Sequence, residues 1–299
     1  MNLLSIVWDW NPTLIEIFGF EIRWYSLTWV AALLFGGWLF SYFCKHEGKP
    51  ESVSDTAFMY IALGTIIGAR LGHCLFYEPM EYLREPWRII TGIRDGGLAS
   101  HGAAIGIILG IWLSSRKNKV SVWWTADRLG IIAPLSGAMI RFGNLFNSEI
   151  IGNETTVPWG FKFMRLYPNW PEEMVPVRHA TQLYEALCYI VVFATLFMLY
   201  RYTKLAKREG FIFGAAMVGI FTPRFLIEFI KVDQVAFEQG MTFNMGQWLS
   251  VPFIMAGIAV MIWAWYRNNG EQEVVAPNAP KAPKALKAKD PKNRRHYKK

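Results

Sequence analysis

The sequence contains little cysteine, and its three cysteines exclude the two kinds of site that this residue usually builds. Cys44, Cys74 and Cys188 lie in or at the ends of apolar runs and form no CxxC pair. Such spacing argues against a disulfide framework and against a zinc site, so small buried thiols are predicted. The N-terminus, MNLLSIVWDWNPTL, also lacks the basic start, unbroken apolar run and cleavage site of a signal peptide.

Several motifs of soluble enzymes are missing as well. The chain has no Walker loop, no HExxH set, no GxSxG elbow beside Ser100 and no dinucleotide fingerprint. Neither a metal nor a cofactor is therefore expected. The formal charge of +8 does not indicate a nucleic-acid partner, because much of the excess lies in the last twenty residues. We predict that residues 267–299 form a basic, disordered cytoplasmic tail near anionic lipid headgroups.

Long apolar runs are the main feature that is present, in a chain that is 53% hydrophobic. A membrane-spanning helix needs roughly 20 mostly apolar residues, and several segments meet that length. The pattern predicts an all-α integral membrane protein in which residues 1–266 form about seven transmembrane helices with a small extracytoplasmic cap at about 142–180. The predicted spans are 24–43, 57–77, 98–115, 122–140, 181–200, 211–230 and 247–266.

The basic residues between the spans predict the orientation. Positive charge follows the first, third, fifth and seventh spans, whereas a connection on the other side, 78–97, mixes acidic and basic residues. By the positive-inside rule, the N-terminus lies outside and the C-terminus lies in the cytoplasm. The basic residues concerned are Lys45, Lys49, Arg116, Lys117, Lys119, Arg201, Lys204, Lys207, Arg208 and Arg267.

Ionisable residues inside a bilayer are rare and expensive, so each is a candidate for function. The richest segment is 136–152, SGAMIRFGNLFNSEIIG, where Arg141, Asn144, Asn147 and Glu149 stand among glycines. These residues predict a helix that breaks near 143–148, and a broken helix at membrane depth lines a cavity or is buried in protein. The alternative is a structural Arg–Glu pair at a helix end.

Three other segments add polar groups near the same ends of the spans. His101 begins the third span, and its ordinary pKa suits a base at neutral pH, although a structural role is the alternative. Arg224 and Glu228 are four residues apart and can pair on one helix face, which is also compatible with a purely structural pair. The segment 178–187, RHATQLYEAL, is interpreted as mostly structural or gating, with Glu185 favouring the first turn of its helix.

Arginines from three spans are expected to meet near the outer leaflet. Arg70, Arg141 and Arg224 all fall in the outer halves of their spans, as does Tyr25. A guanidinium fork matches the geometry of a phosphate. The simplest ligand for arginines at that depth is an anionic lipid headgroup.

The polar segments resemble the motifs of a known family, bacterial prolipoprotein diacylglyceryl transferase. The strongest match is IRFGNLFNSEIIG, and RWYSL, GARLG, RDGGLASHGA, RHATQLYEA, PRFLIEF and MGQWLSVP follow in the family's order over roughly residues 20–266. One departure is Ala103, where the family often has a second glycine after the His-Gly pair.

The resemblance implies an enzyme of the bacterial inner membrane. It would transfer the diacylglyceryl group of phosphatidylglycerol to the lipobox cysteine of a preprolipoprotein signal peptide, forming a thioether and releasing glycerol phosphate. Its partners would be these two substrates and the surrounding membrane lipids.

The resemblance also implies roles for individual residues. Arg141 and Arg224 would bind the phosphate, and His101 would be the base for the substrate thiol. Glu228 would orient Arg224, and Gly152 would allow close approach. Headgroup or peptide would be positioned by Tyr25, Asn144, Asn147 and Glu149, with Arg70 and Gln247 as weaker candidates.

Two alternatives remain open from the residues alone. A transporter or flippase for an anionic solute would also place arginines between helices, but the internal repeats typical of transporters are not found. A structural assembly protein would leave the polar residues unexplained.

Overall fold

The computed structural model describes residues 5–92, 99–233 and 240–267. The predicted basic tail lies outside these ranges from residue 268 onward. Within them the helices are α1 (Trp24–His46), α2 (Glu51–Phe76), α3 (Pro79–Arg84), α4 (Arg88–Thr91), α5 (Ser100–Asn118), α6 (Val122–Phe146), α7 (Thr181–Tyr202), α8 (Phe211–Glu228) and α9 (Met245–Tyr266). The strands are β1 (Ile6–Trp8), β2 (Thr13–Ile17), β3 (Phe20–Arg23) and β4 (Phe161–Phe163).

The predicted helical membrane class is confirmed. Among the described helices, α1, α2, α6, α7, α8 and α9 are long and apolar enough to cross a membrane, so the chain is a multi-pass membrane protein. The predicted third span corresponds to α5, which has 19 residues but is not among these six. Its three glycines, three serines and basic end explain its lower apolar content.

The helices extend beyond several predicted boundaries. Helix α2 begins at Glu51 instead of 57, and α6 continues to Phe146, so the cap begins after that residue and not at 142. The basic residues Arg116 and Lys117, predicted to follow the third span, lie in the last turn of α5. Cations are favourable there because the carbonyl end of a helix carries partial negative charge.

Glycines allow α5 to pack along α2 with the two backbones in contact. A Cβ atom at Gly68 would overlap the carbonyl oxygen of Gly102, and one at Gly64 would overlap that of Gly106. Small residues at such crossings are typical of membrane helices, because close backbone approach gives the van der Waals contact that lipid cannot provide. This contact fixes the position of the first turn of α5, which carries His101.

The cap contains short strands that the all-α prediction missed, and part of it comes from the N-terminus. Strand β1 pairs in parallel with β4, with Ile6 opposite Phe161. The indole nitrogen of Trp8 donates to the carbonyl of Leu145 at 3.1 Å, and Trp24 stacks on Phe146. These contacts hold the end of α6 at the base of the cap. Strands of three residues are too short to give an alternating pattern in the sequence.

The opposite end of the bundle is held by a second set of buried polar contacts. Both carboxylate oxygens of Glu47 accept from Arg128 at 2.7–2.9 Å, and Glu47 also accepts from Trp124 and Tyr200. Asp127 accepts from the backbone N–H groups of Gly210 and Phe213 at the start of α8. These contacts tie α1, α6, α7 and α8 together far along the helices from the cap.

Candidate functional site

The break at the end of α6 forms as predicted and creates the centre of the candidate site. Helix α6 ends at Phe146, and Ser148 and Ile150 then adopt positive φ angles of 55° and 59°. Left-handed conformations are uncommon for residues other than glycine and require support from the surroundings. That support includes the hydroxyl of Thr181, which donates to the carbonyl of Ile150 at 2.7 Å.

Four charged side chains from three chain segments form a continuous ion network beneath this break. Arg141 on α6 pairs with Glu185 on α7. The other carboxylate oxygen of Glu185 pairs with Lys231, just after α8, at 2.6 Å, and Lys231 also pairs with Glu228 at 2.8 Å. Glu185 is fully buried, and Lys231 and Glu228 are nearly so. The network therefore operates away from bulk water, where electrostatic interactions are strong.

Side-chain amides extend the network toward the surface. The guanidinium of Arg141 donates to the amide oxygen of Asn144 at 3.1 Å, and the amide nitrogen of Asn144 donates to Glu149 at 2.7 Å. Asn147 donates to the same carboxylate at 3.3 Å. Glu149 is exposed, so this arm connects the buried charges to the rim of the cap.

Arg224 lies beside the network but not within its chain of ion pairs. Tyr189 on α7 lies within electrostatic range of Arg141, Arg224 and Glu185, which places both arginines near one phenol. The Nε atom of Arg224 is buried and has no hydrogen-bond partner within the described ranges. An unsatisfied buried donor costs about 1–3 kcal/mol, more for a charged group, so an acceptor oxygen at this position would be stabilising.

The charges of the ion network and Arg224 do not cancel. Arg141, Arg224 and Lys231 are three cations against two carboxylates, Glu185 and Glu228, which leaves one positive charge in excess. A group with one negative charge and several acceptor oxygens complements this arrangement, and a phosphodiester has both properties.

Comparison with known proteins finds a family match over most of the chain. The family model described as Prolipoprotein diacylglyceryl transferase matches residues 12–263. Among relatives named phosphatidylglycerol–prolipoprotein diacylglyceryl transferase, that of Tolumonas auensis is 43% identical over 258 residues, 86% of this chain and 96% of the relative. That of Porphyromonas gingivalis is 44% identical over 266 residues, covering 86% and 94%, and that of Bacteroides fragilis is 41% identical over 270 residues, covering 87% and 95%.

The chain belongs to the prolipoprotein diacylglyceryl transferase family. The resemblance inferred from the motifs is thereby confirmed, and so is the assignment of the chain as a transferase. The match covers every polar segment of the site.

The structure brings together most of the residues that the transferase resemblance implied. Arg141, Asn144, Asn147 and Glu149 are directly connected. Tyr25 on α1 lies beside them: its ring packs so closely on Gly143 that a Cβ atom there would be 2.9 Å from the ring. This transferase therefore needs glycine at 143 for close packing of α1 on α6.

His101 lies apart from the ion network. Its ring packs against Phe76 at 5.0 Å and Tyr77 at 5.8 Å, at the end of α2, and its side chain is exposed. Within the described ranges, no hydrogen bond or ion pair joins it to the network.

One predicted contact, and one contact that the alternative interpretation required, are not found among the described residues. Glu228 does not pair with Arg224; it pairs with Lys231, and its carboxylate lies against Gly246, in the first turn of α9. The backbone N–H groups of a helix start favour a carboxylate at that place. Likewise, Arg141 pairs with Glu185 on another helix and not with Glu149.

Three other candidates have structural contacts instead of a place in the network. Gln247 forms a capping box with Asn244 at the start of α9. A Cβ atom at Gly152 would lie 2.6 Å from the Cβ atom of His179. The close approach that this glycine allows is therefore between two segments of the chain. Arg70 donates to backbone carbonyls of α4. Of the three arginines that were expected to meet, only Arg141 and Arg224 therefore remain at the site.

Sequence reasoning missed Glu185, Lys231, Gln182 and Tyr189. Gln182, Glu185 and Tyr189 lie three and four residues apart, so they share one face of α7. A polar face of that spacing was a signal for a site, but RHATQLYEAL was interpreted as mostly structural. The structure corrects the placement of Glu185 in the first turn of its helix, because that turn of α7 holds no acidic residue and Glu185 instead joins Arg141 to Lys231.

A second hydrogen-bond chain links the cap to the start of α7. The indole of Trp159 donates to the hydroxyl oxygen of Tyr184 at 3.0 Å, and that hydroxyl lies 3.1 Å from Nδ1 of His179. The hydroxyl of Tyr184 can donate to Nδ1 of a neutral His179 or accept from it, depending on the tautomer of the histidine. Burial lowers the pKa of His179 and favours the same neutral form.

Proposed function

We propose that this chain transfers the diacylglyceryl group of phosphatidylglycerol to the thiol of a lipobox cysteine in a prolipoprotein, with the phosphate held by Arg141 and Arg224. The observation that carries the proposal is the buried Nε of Arg224, which has no partner among the described residues and lies beside a cluster with one excess positive charge. The names of the relatives supply the substrate pair.

The proposed step is a displacement at carbon. The thiolate sulfur attacks the glycerol carbon that carries the phosphate ester, a C–S bond forms, and the C–O bond breaks with its electron pair left on the phosphate. Glycerol phosphate departs, and the proton of the thiol passes to a base or to the leaving group. Negative charge grows at the phosphate during this step, so fixed guanidinium donors stabilise the transition state more than the ground state.

The remaining residues position the two arginines. Glu185 forms an ion pair with Arg141 through one oxygen and with Lys231 through the other, which orients the guanidinium while leaving donors for the ligand. Asn144 receives a further N–H of Arg141. Tyr25, Asn147 and Glu149, at the exposed end of the network, are proposed to contact the headgroup or the peptide.

The proposal includes an orientation in the bacterial inner membrane. Basic side chains at the ends of α1 and α5 and after α7 lie opposite the cap, and the positive-inside rule assigns that end to the cytoplasm. The N-terminus, the cap and the arginine site then face outside, where prolipoproteins arrive after translocation.

The test is transfer by the purified full-length protein in detergent with phosphatidylglycerol and a synthetic lipobox peptide. A mass gain of one diacylglyceryl group on cysteine supports the proposal, and a peptide with serine in place of cysteine is the control. Vesicle uptake of an anionic solute without any such product would instead support the transporter.

Substitution of His101 tests the residue that the family resemblance implies as the base for the thiol. We expect His101→Gln to lower the transfer rate and to recover part of it at higher pH, because a free thiol with a pKa of about 8.5 becomes thiolate without help as pH rises. The measurement is the rate from pH 6 to pH 9. His46→Gln, an exposed histidine at the far end of α1, serves as the control. A pH profile equal to that of the wild type would leave His101 with a structural role.

A further inference from the structure

The segment between α2 and α5 exposes a row of large apolar side chains that nothing in the site explains. Met80, Leu83, Trp87 and Ile90, here called the apolar stripe, are 61–74% exposed. They belong to α3, α4 and the turn between these helices. Contiguous exposed apolar residues usually mark a surface that contacts a partner or a membrane.

A buried arginine fixes which side of this segment faces outward. Arg70 on α2 donates through Nε to the carbonyl of Ile89 at 2.9 Å and through a second nitrogen to the carbonyl of Arg88 at 2.8 Å. Its guanidinium also stacks on the ring of Tyr82 at 5.2 Å. Tyr82 and Ile89 thus form the inner side of the segment, and the stripe faces away from α2.

The charged side chains of the segment largely neutralise one another. Arg88 pairs with Glu81 and lies 3.7 Å from Glu85. Glu78 lies 3.6 Å from His73 on α2. With Arg84 included, three acidic residues and two arginines leave a net charge of −1 on the segment, so attraction to anionic headgroups does not hold it to a membrane.

The stripe continues the lipid-facing surface of α2. Leu75 and Phe76, in the last turn of α2, are 65% and 66% exposed, and α3 begins three residues after that helix ends. A segment attached at this place lies at the level where the span leaves the hydrocarbon. Amphipathic helices and tryptophan side chains both favour that level.

We propose that residues 78–92 lie on the surface of the phospholipid leaflet at the cap end, with the apolar stripe in the boundary between headgroups and acyl chains and Arg70 as the latch that sets its orientation. The partner of this surface is the bilayer itself. A second copy of the chain and a peptide substrate are the competing occupants, and the experiment below distinguishes them.

The test measures how deeply single positions of the segment lie in the bilayer, with a water-sensitive fluorophore attached to single cysteines of the full-length protein. Cys44, Cys74 and Cys188 are replaced by alanine, and the label is placed by Leu83→Cys on the stripe or by Glu85→Cys as the matched exposed control. The protein is reconstituted in phosphatidylcholine vesicles at low protein content. We expect nitroxide lipids to quench the label at 83 several-fold more than the label at 85, and aqueous iodide to show the reverse order.

The order should persist when phosphatidylglycerol is added to the vesicles, since the segment has almost no net charge. Equal quenching at the two positions would overturn the proposal. Shielding of position 83 only at high protein density would overturn it in favour of a second copy, and shielding only with added peptide would do so in favour of a substrate.

A separate variant tests the role of Arg70 as the latch. We expect Arg70→Gln to reduce the difference between positions 83 and 85, because the inner side of the segment loses two hydrogen bonds and a ring contact. Arg84→Gln, an exposed arginine of the same segment, should preserve the difference. An undiminished difference in Arg70→Gln would overturn the latch. Failure of that variant to fold leaves the comparison of positions 83 and 85 as the deciding measurement.

Discussion

Replacing Arg141 with alanine is expected to lower the rate of diacylglyceryl transfer by about 10²- to 10³-fold, the loss usually found when one fixed donor to a developing anion is removed. Arg141 combines a partly buried guanidinium with fixed partners on two sides, Glu185 and Asn144. A side chain held in this way supplies its charge without reorganising during the reaction. The measurement is the initial rate of thioether formation at saturating and limiting phosphatidylglycerol.

Two further variants make the result specific. Arg141→Lys keeps the charge but loses the two-pronged geometry that matches a phosphate, so an intermediate rate is expected. Arg201→Ala, an exposed arginine at the far end of α7, should retain the wild-type rate. Transfer by Arg141→Ala at close to the wild-type rate, in protein of normal membrane insertion, would show that the phosphate is bound elsewhere.

Replacing Glu185 with glutamine is expected to lower the free energy of unfolding by about 3–5 kcal/mol, the usual result of removing one partner from a buried ion pair. Glu185 is fully buried and is the carboxylate that joins Arg141 to Lys231. Its loss leaves two cations close together with fewer counter-charges. Unfolding in mixed detergent micelles, followed by tryptophan fluorescence, measures the change.

A double substitution separates charge balance from the loss of a single contact. Lys231→Met added to Glu185→Gln removes one cation with one anion, so the double variant should be less destabilised than the two single changes summed, by about 1–3 kcal/mol. Glu154→Gln breaks an exposed pair with Arg178 and should change stability by less than about 1 kcal/mol. Strict additivity would contradict a coupled network.

The class of the protein follows from the sequence because lipid selects for apolar length, and apolar length is a property of consecutive residues. The runs that become α1, α6, α7, α8 and α9 are recognisable without any knowledge of their neighbours. The break after α6 is also local, because glycines and asparagines disfavour a continuous helix there. The motifs gave the family for the same reason, since each is a short continuous segment.

The short strands and the helix ends were less predictable. The pairing of β1 with β4 joins Ile6 to Phe161, and no local pattern marks residues so far apart as partners. Helix α2 begins within a polar stretch, ESVSD, which an apolar window excludes. These errors leave the predicted fold class unchanged. They matter more for the cap, because N-terminal residues form part of its structure.

The sequence by itself determined a multi-pass helical protein of the prolipoprotein diacylglyceryl transferase family and placed arginines at the ends of its helices. Only the tertiary structure decided the partners of the basic residues. Arg141 pairs with Glu185, Lys231 pairs with both Glu185 and Glu228, and Arg70 donates to the backbone of α4. The physical reason is that spacing along one helix defines neighbours on that helix alone. Partners on different helices depend on the rotation and depth of each helix, which packing of the whole bundle sets.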